Sequence, residues 1–390
     1  MGYVASLDMG SETMVMALAE RTGDDCRLVG VMSVASQGIK RGKITDKLRA
    51  KVCIQQLLDG FESEHSVHID SLNITLSGSW VKLLEDRESL KYSKLQGVTQ
   101  HDLLELEKRC KSSLENGDEV VVDVVPMAYF VDKEVVSDPI GCSARRLDVR
   151  YQVFVVSKET LEELKILFSS LGVEHLEIYS VVRAMTNALI AKQGENQDFA
   201  LVDLGAESTK ILVFQSGMAV FYSELPLGCR TIEADLNVAF SIRDLEKAKK
   251  LKHEYGMALR AECKNRKVII PETKYCIESH NLAYVEQCRL EEILEGAIFQ
   301  MQQSGCYESL DEGILLTGGG SRVVGINTLL AKLSGHTVGL ARAVNVLSEK
   351  GALLKMPEYL TALGLLRCER REQKKSGNRM KRWFGELFND

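Results

Sequence analysis

Two short acidic turns, Asp8-Met9-Gly10 and Asp203-Leu204-Gly205, and a glycine run, Thr317-Gly318-Gly319-Gly320-Ser321, supply the residue types of a phosphate-binding cleft. Each acidic turn ends an apolar stretch of strand character. There glycine lets the backbone approach a ligand and present N–H donors to phosphate oxygens. The candidate contacts are Gly10, Ser11 and Thr13 in the first turn, and Gly205, Ala206, Glu207 and Ser208 in the second. Facing each other across a cleft, Asp8 and Asp203 would suit a hydrated Mg²⁺, because hard cations take carboxylate oxygens and retain water. Gly318, Gly319 and Gly320 would let the main chain lie flat against a nucleoside, where a Cβ would collide. Either acidic turn alone also describes an ordinary tight turn. The duplication, with the third element, sets this chain apart.

The elements that must position these turns follow from hydrophobic period. Tyr3–Asp8 reads as a buried strand, followed by strands at Glu12–Ala19 and Arg27–Ser36. A helix covers Thr45–Glu64 on the spacing of Leu48, Val52, Ile54, Leu57, Leu58 and Phe61, and Ser71–Leu76 returns to strand. The texture changes near Trp80, where a helix at Val98–Leu114 and strands at Val120–Val131 and Asp148–Val156 read as an inserted domain. Helical spacing resumes at Glu159–Leu171 and Val182–Lys192. Phe199–Asp203 then repeats the first strand and its turn: residues 7–13 are echoed by 202–208, which implies two similar lobes. Strands at Lys210–Gln215 and Met218–Glu224 follow, then helices at Arg230–Phe240, Asp244–Tyr255 and Asn281–Gln303, and a strand at Ile314–Thr317.

Bulk properties bound the function. Across 390 residues the net charge is -6, which argues against general nucleic-acid affinity, since phosphate-backbone binding is driven by Lys and Arg. Ten cysteines without a C-x-x-C pair suit reduced thiols and a cytoplasmic setting. No apolar run reaches about eighteen residues, so no spanning helix is expected.

At the end of the chain, Met380, Trp383, Phe384, Leu387 and Phe388 share one helical stripe, flanked by Arg379, Lys381 and Arg382, behind the polar run Glu369–Asn378. Such a helix suits the interface of an anionic membrane, its cations meeting headgroups. Docking on its own body or on a partner protein is the alternative.

The order Asp-x-Gly, Asp-x-Gly, Thr-Gly-Gly-Gly resembles the actin, hexokinase and DnaK-type superfamily, whose ATP lies between two ribonuclease-H-like lobes. Within it the chain resembles the bacterial cell-division FtsA family over nearly its whole length. The resemblance rests on Asp138-Pro139-Ile140-Gly141 in the insert, Gln37–Gly42, Leu76–Ser79, Pro226-Leu227-Gly228, Lys252 with Tyr255-Gly256, and the amphipathic tail. It implies an α/β actin-like fold: first lobe 1–80 and 152–195, an inserted α+β subdomain 81–151, second-lobe core 196–227 and 304–368, and a small subdomain 228–303. A linker, 369–378, and a membrane-targeting helix, 379–390, follow.

The resemblance further implies ATP or ADP with Mg²⁺ in the cleft and Lys252 on the adenine side. It implies self-association into filaments, attachment to the cytoplasmic face of the inner membrane at the division site, and recruitment of later division proteins. It also implies capture of the FtsZ C-terminal tail by the small subdomain, with Lys264, Arg266 and Lys267 as contacts.

The chain departs from the family pattern at several positions. Ala206 and Glu207 replace glycines of the second loop, Lys210 occupies a position often acidic or apolar, Cys229 replaces a Gly, Lys249 stands where an acid is usual, and Val181-Val182-Arg183-Ala184 replaces a Gln/Glu-Pro-Leu-Ala segment. A carboxylate at Glu207 would repel triphosphate oxygens unless it turned outward or met Mg²⁺ or Lys210. Val181 supplies no polar group to order an attacking water. Nucleotide binding with slow or absent hydrolysis is therefore expected, and no catalytic residue. The competing readings are an active phosphotransferase or ATPase of this fold and a PilM-like pilus-assembly adaptor, which lacks such a tail.

Overall fold

Strand β1 (Gly2–Met9) pairs antiparallel with β2 (Thr13–Thr22), and β2 with β3 (Asp25–Ala35). The computed structural model describes residues 2–23, 25–115, 117–190, 197–349 and 351–368. A two-residue hairpin, β4 (Ile39–Lys40) and β5 (Lys43–Ile44), turns through Arg41 and Gly42, both at positive φ (50° and 71°), the geometry that matches strand twist in tight hairpins.

Helix α1 (Lys47–His65) starts where the Asp46 carboxylate accepts the Arg49 N–H. It buries Ile54, Leu57, Leu58 and Phe61 as their spacing requires. Leu48 and Val52, expected on the same stripe, are exposed. They lie off the face set by Ala50, Cys53 and Ile54. Strand β6 (Ser71–Leu76) then pairs parallel to β1.

The insert leaves the lobe after β6. Its sheet has the order β7-β10-β8-β9, built from β7 (Lys82–Gly97), β8 (Glu119–Val131), β9 (Glu134–Val136) and β10 (Ser143–Ser157). Helix α2 (Gln100–Leu114), opened by a Thr99/Asp102 capping box, closes a core of Leu106, Cys110, Val124, Leu147, Val149 and Val153. Strand β7 had no counterpart in the sequence reading. It is an edge strand studded with charges, a device that blunts edge-to-edge pairing and hides strand character. Only Leu84, Leu90 and Tyr92 of β7 pack on that core.

The chain returns to the first lobe through α3 (Lys158–Ser169), β11 (His175–Ser180) and α4 (Val181–Leu189), completing the order β11-β6-β1-β2-β3. A buried polar knot seats the insert here. The Asp123 carboxylate of β8, fully buried, accepts from Ser180 N (2.9 Å), Ser180 Oγ (2.8 Å) and Arg183 Nε (3.0 Å).

The second lobe repeats the plan. Its strands are β12 (Phe199–Leu204), β13 (Thr209–Gln215), β14 (Met218–Leu225), β17 (Ile314–Thr317) and β18 (Val338–Leu340), ordered β14-β13-β12-β17-β18. Thus β12 corresponds to β1, and Asp203 to Asp8. Both faces of β12 are covered, which is why it reads as a continuous apolar run. Ala200 and Val202 join the core of the second lobe, while Phe199 and Leu201 join that of the first. Helices α5 (Arg230–Ala239), α6 (Leu245–Tyr255) and α7 (Ser279–Gln303), with the hairpin β15 (Lys267–Ile269) and β16 (Cys276–Glu278), form the outer part of this lobe. Helix α8 (Ile326–Ser334) follows β17.

Helix α9 (Leu360–Leu365) crosses back to tie the lobes together. Ser6 Oγ and Asn73 Nδ2 of the first lobe donate to Ala362 O (2.7 Å) and Leu365 O (3.0 Å). At Gly364 a Cβ would stand 1.8 Å from Ala184 O, so α4 and α9 touch backbone to backbone.

Candidate functional site: an inter-lobe cleft filled with ion pairs

Between the lobes lies a cavity of about 610 Å³, lined by Asp8, Gly10, Ser11, Glu12 and Thr13 from the first lobe and Asp203, Gly205–Ser208 and Gly318–Gly320 from the second. The glycine turns are required sterically. A Cβ at Gly10 would meet Thr13 O at 2.5 Å, and one at Gly205 would meet Ser208 O at 2.7 Å, the same contact in each copy. Gly318 has φ +78°, and a Cβ there would stand 2.2 Å from Asp203 Oδ1. At Gly319 the space for a Cβ is open.

Two of the first lobe's motif stretches meet at the rim of this cleft. A Cβ at Gly42 would lie 2.4 Å from Ser77 O, and one at Gly78 would lie 2.1 Å from Arg41 O. Gly42 N also donates to Ser11 Oγ (3.3 Å). The β4–β5 hairpin tip is thereby held against the first Asp-x-Gly turn.

The charges are paired among themselves. Glu207 meets neither Lys210 nor open solvent: one oxygen takes the Arg230 guanidinium at 2.6 Å and the other accepts the Arg41 N–H of the opposite lobe. Arg230, at the start of α5, reaches Glu12 (2.9 Å) and Ser11 O (2.9 Å) of the first lobe. Lys249 pairs with Glu12 as well. Lys252 is held by Glu233 at 2.5 Å and faces Cys229 O at 3.4 Å.

Lys210 is the cross-strand partner of Asp203 on β12 and of Glu224 on β14, and its ammonium lies 3.0 Å from Asp203 Oδ2. Burial would lower its pKa, but Asp203, then Glu224 and Asp8, hold it above the usual lysine range. Asp8 is pushed up to about 6, chiefly by burial, with Lys210 opposing and Asp203 adding to the rise.

Glu286, from α7, is a further acid in the wall that sequence reasoning did not find. Fully buried, it accepts the Met257 N–H at 2.7 Å through Oε2, while Oε1 has no partner. Burial raises it to about 7. Glu12, Arg41, Arg230 and Glu233 were also missed. Glu12 and Arg230 abut recognised motifs, but nothing in the local pattern announces a partner in the other lobe.

These residues fit a bound nucleotide and the expected metal unequally. Backbone N–H groups, the open space at Gly319 and the cavity volume suit a nucleotide, whereas Gly318 and Gly320 are glycines because Asp203 and Cys229 crowd them. Mg²⁺ demands near-octahedral oxygen ligands and retained waters. Here Asp203 gives one oxygen to Lys210 and packs the other against Gly318. The expectation of Mg²⁺ on Asp8 and Asp203 therefore does not fit this donor set.

Outside the cleft, Lys264, Arg266 and Lys267 are exposed beside and at the start of β15, Arg266 stacking over the Tyr255 ring at 5.1 Å. Exposed Ile269 and Tyr275 belong to the same hairpin region. The expectations for linker 369–378 and for Met380, Lys381, Arg382, Trp383, Phe384, Leu387 and Phe388 lie outside the described residues. Among those described, no helix is long and apolar enough to cross a membrane.

Two lobes on one repeated five-stranded plan, closing on glycine loops, define an actin-like α/β fold. Solved structures agree. The PilM-PilN type IV pilus biogenesis complex matches with TM-score 0.65 at 16% identity, covering 93% of this chain and 97% of that one. MreB5 of Spiroplasma citri bound to ADP matches at 0.53 and 11% identity, covering 93% and 94%.

The family profile described as "Cell division protein FtsA" matches residues 200–364, and "SHS2 domain inserted in FTSA" matches 78–155. FtsA of Bacillus subtilis is 25% identical over 96% of this chain and 85% of its own length. FtsA of Escherichia coli K12 is 23% identical over 93% and 89%. The chain belongs to the FtsA family of cell-division proteins.

Proposed function

We propose that the chain is a division-site adaptor that self-associates into actin-like filaments and tethers the C-terminal tail of FtsZ to the cytoplasmic face of the inner membrane. The observation that carries this reading is the actin-like body interrupted after β6 by the β7–β10 insert, which coincides with residues 78–155 matched by the profile described as "SHS2 domain inserted in FTSA". The insert offers a surface for the next protomer or for later division proteins. Lys264, Arg266 and Lys267, beside exposed Ile269 and Tyr275, offer cations and apolar surface to an acidic, apolar tail. Residues 379–390 supply the contact with anionic lipid. A single such helix binds weakly, and arraying copies along a filament turns later contacts into intramolecular ones.

ATP or ADP sits in the cleft, with hydrolysis slow or absent. In support, Val181 at the start of α4 lines the cavity where a polar group would be needed to order water, and Asp203, Glu207 and Glu12 are engaged by Lys210, Arg230 and Lys249.

Vesicle sedimentation tests the anchor. The full chain should pellet with anionic liposomes, and the chain lacking 379–390 should stay in the supernatant. Equal pelleting of both sinks the anchoring role. Reversing Lys264, Arg266 and Lys267 to Glu should weaken binding of an FtsZ tail peptide in fluorescence anisotropy, and unchanged binding moves the partner site elsewhere.

A further inference from the structure

We propose that Lys210 is the resident cation of the cleft, standing in place of a divalent metal, so that this protein holds no metal there and takes its nucleotide metal-free. The nucleotide half rests on the reading above; the metal half does not.

The repeat shows what is unusual. In the first lobe the cross-strand partner of Asp8 is Val15; at the corresponding place in the second lobe the partner of Asp203 is Lys210. The next strand continues the row with Glu224, so an ammonium lies between two carboxylates on the face of the sheet that lines the cavity. Cross-strand neighbours of opposite charge are the sheet's ordinary stabilising pair. Here the row also joins the lobes, because Glu224 Oε2 accepts the Gly78 N–H of the first lobe at 3.2 Å and lies 3.3 Å from the Tyr222 hydroxyl.

The side chains of Lys210 and Asp203 are only 13% and 11% exposed. A buried lysine keeps its charge only when paired; this one touches Asp203, and Glu224 and Asp8 are close enough to act on it. A tethered ammonium is present at high effective concentration and needs no dehydration. An incoming Mg²⁺ would have to displace it, strip Asp203 Oδ2 from it, and find room for waters where the Gly318 backbone abuts Oδ1. Lysine is also a point charge well suited to phosphate oxygens.

Two titrations on the full chain test this. In the first, uptake of Mn²⁺ is followed by loss of the free-ion electron paramagnetic resonance signal. The unmodified chain should show no stoichiometric uptake. Lys210→Met should acquire it, and adding Asp203→Asn should remove it again. Stoichiometric uptake by the unmodified chain, abolished by Asp203→Asn, overturns the proposal and needs no variant of Lys210 to fold.

In the second titration, calorimetric ADP affinity should be no higher in Mg²⁺ than in EDTA, because Mg²⁺ then only draws free ADP into its own solution complex, and Lys210→Met should lose about tenfold in EDTA and regain it with Mg²⁺. A rise of about tenfold on adding Mg²⁺ to the unmodified chain overturns the metal-free mode. Absence of ADP binding in both media removes the nucleotide reading and the metal-free clause with it. The Mn²⁺ titration then still upholds or overturns Lys210 as the resident cation.

Discussion

The Arg230 guanidinium of the second lobe lies 2.9 Å from the Glu12 carboxylate of the first, spanning the mouth of the cleft. Both side chains are about one-third exposed, so water screens the pair only in part. A double-mutant cycle of Arg230→Ala and Glu12→Ala should give a coupling of about 1 kcal/mol in urea unfolding. Strict additivity would mean that the contact contributes nothing to lobe closure.

Glu207 holds both Arg230 and the Arg41 N–H, two donors that a phosphate would otherwise use. Glu207→Gly should therefore tighten ADP binding about tenfold by calorimetry, through release of those donors and removal of a repelling carboxylate. Unchanged or weaker affinity would show that phosphates do not come near this loop.

Asp123 is fully buried, and its oxygens take the Arg183 guanidinium and both polar groups of Ser180. Asp123→Ala leaves the Arg183 cation without its counter-ion and should cost roughly 3–5 kcal/mol of stability. Urea denaturation reads this loss directly. A change under about 1 kcal/mol would show that the insert is not seated through this knot.

Glu286 has a folded-state pKa of about 7, raised by burial from the ordinary 4.5, with the Met257 N–H and the Lys252 ammonium opposing the rise. Because the folded form binds the proton more tightly than the unfolded chain, its contribution to stability is complete below the unfolded value and is lost as pH rises through about 7. Glu286→Gln should flatten that decline and gain up to roughly 3 kcal/mol at about pH 8 relative to the parent. Urea midpoints at about pH 5 and about pH 8 measure it, and parallel slopes for parent and variant would exclude Glu286 as the titrating group.

Much of the fold was legible because local patterns encode it. The alternation in Ser71–Leu76, the spacing behind α6 and the twin Asp-x-Gly turns each depend on a few neighbouring residues. Strand β7 was illegible because an edge strand carries its charges outward, and Leu48 and Val52 misled because helical spacing alone cannot say which of two adjacent faces meets the core. The glycine loops do line one cavity, whereas the partners of Glu207, Arg230 and Lys252 could not be read from the motifs that contain them.

By itself the sequence determined the repeated lobes, the family and the loops of the cleft, because strand period, helix period and the steric needs of glycine are short-range properties of the chain. Tertiary structure alone decided how the cleft's charges are spent. Arg230 meets a carboxylate 218 residues away and Glu207 an amide 166 residues away, and such pairs exist only once two separately folded lobes close on each other. Lys210 lies between the two cases: its place beside Asp203 is a matter of strand register, but its burial in a cleft of acids from both lobes is a matter of closure.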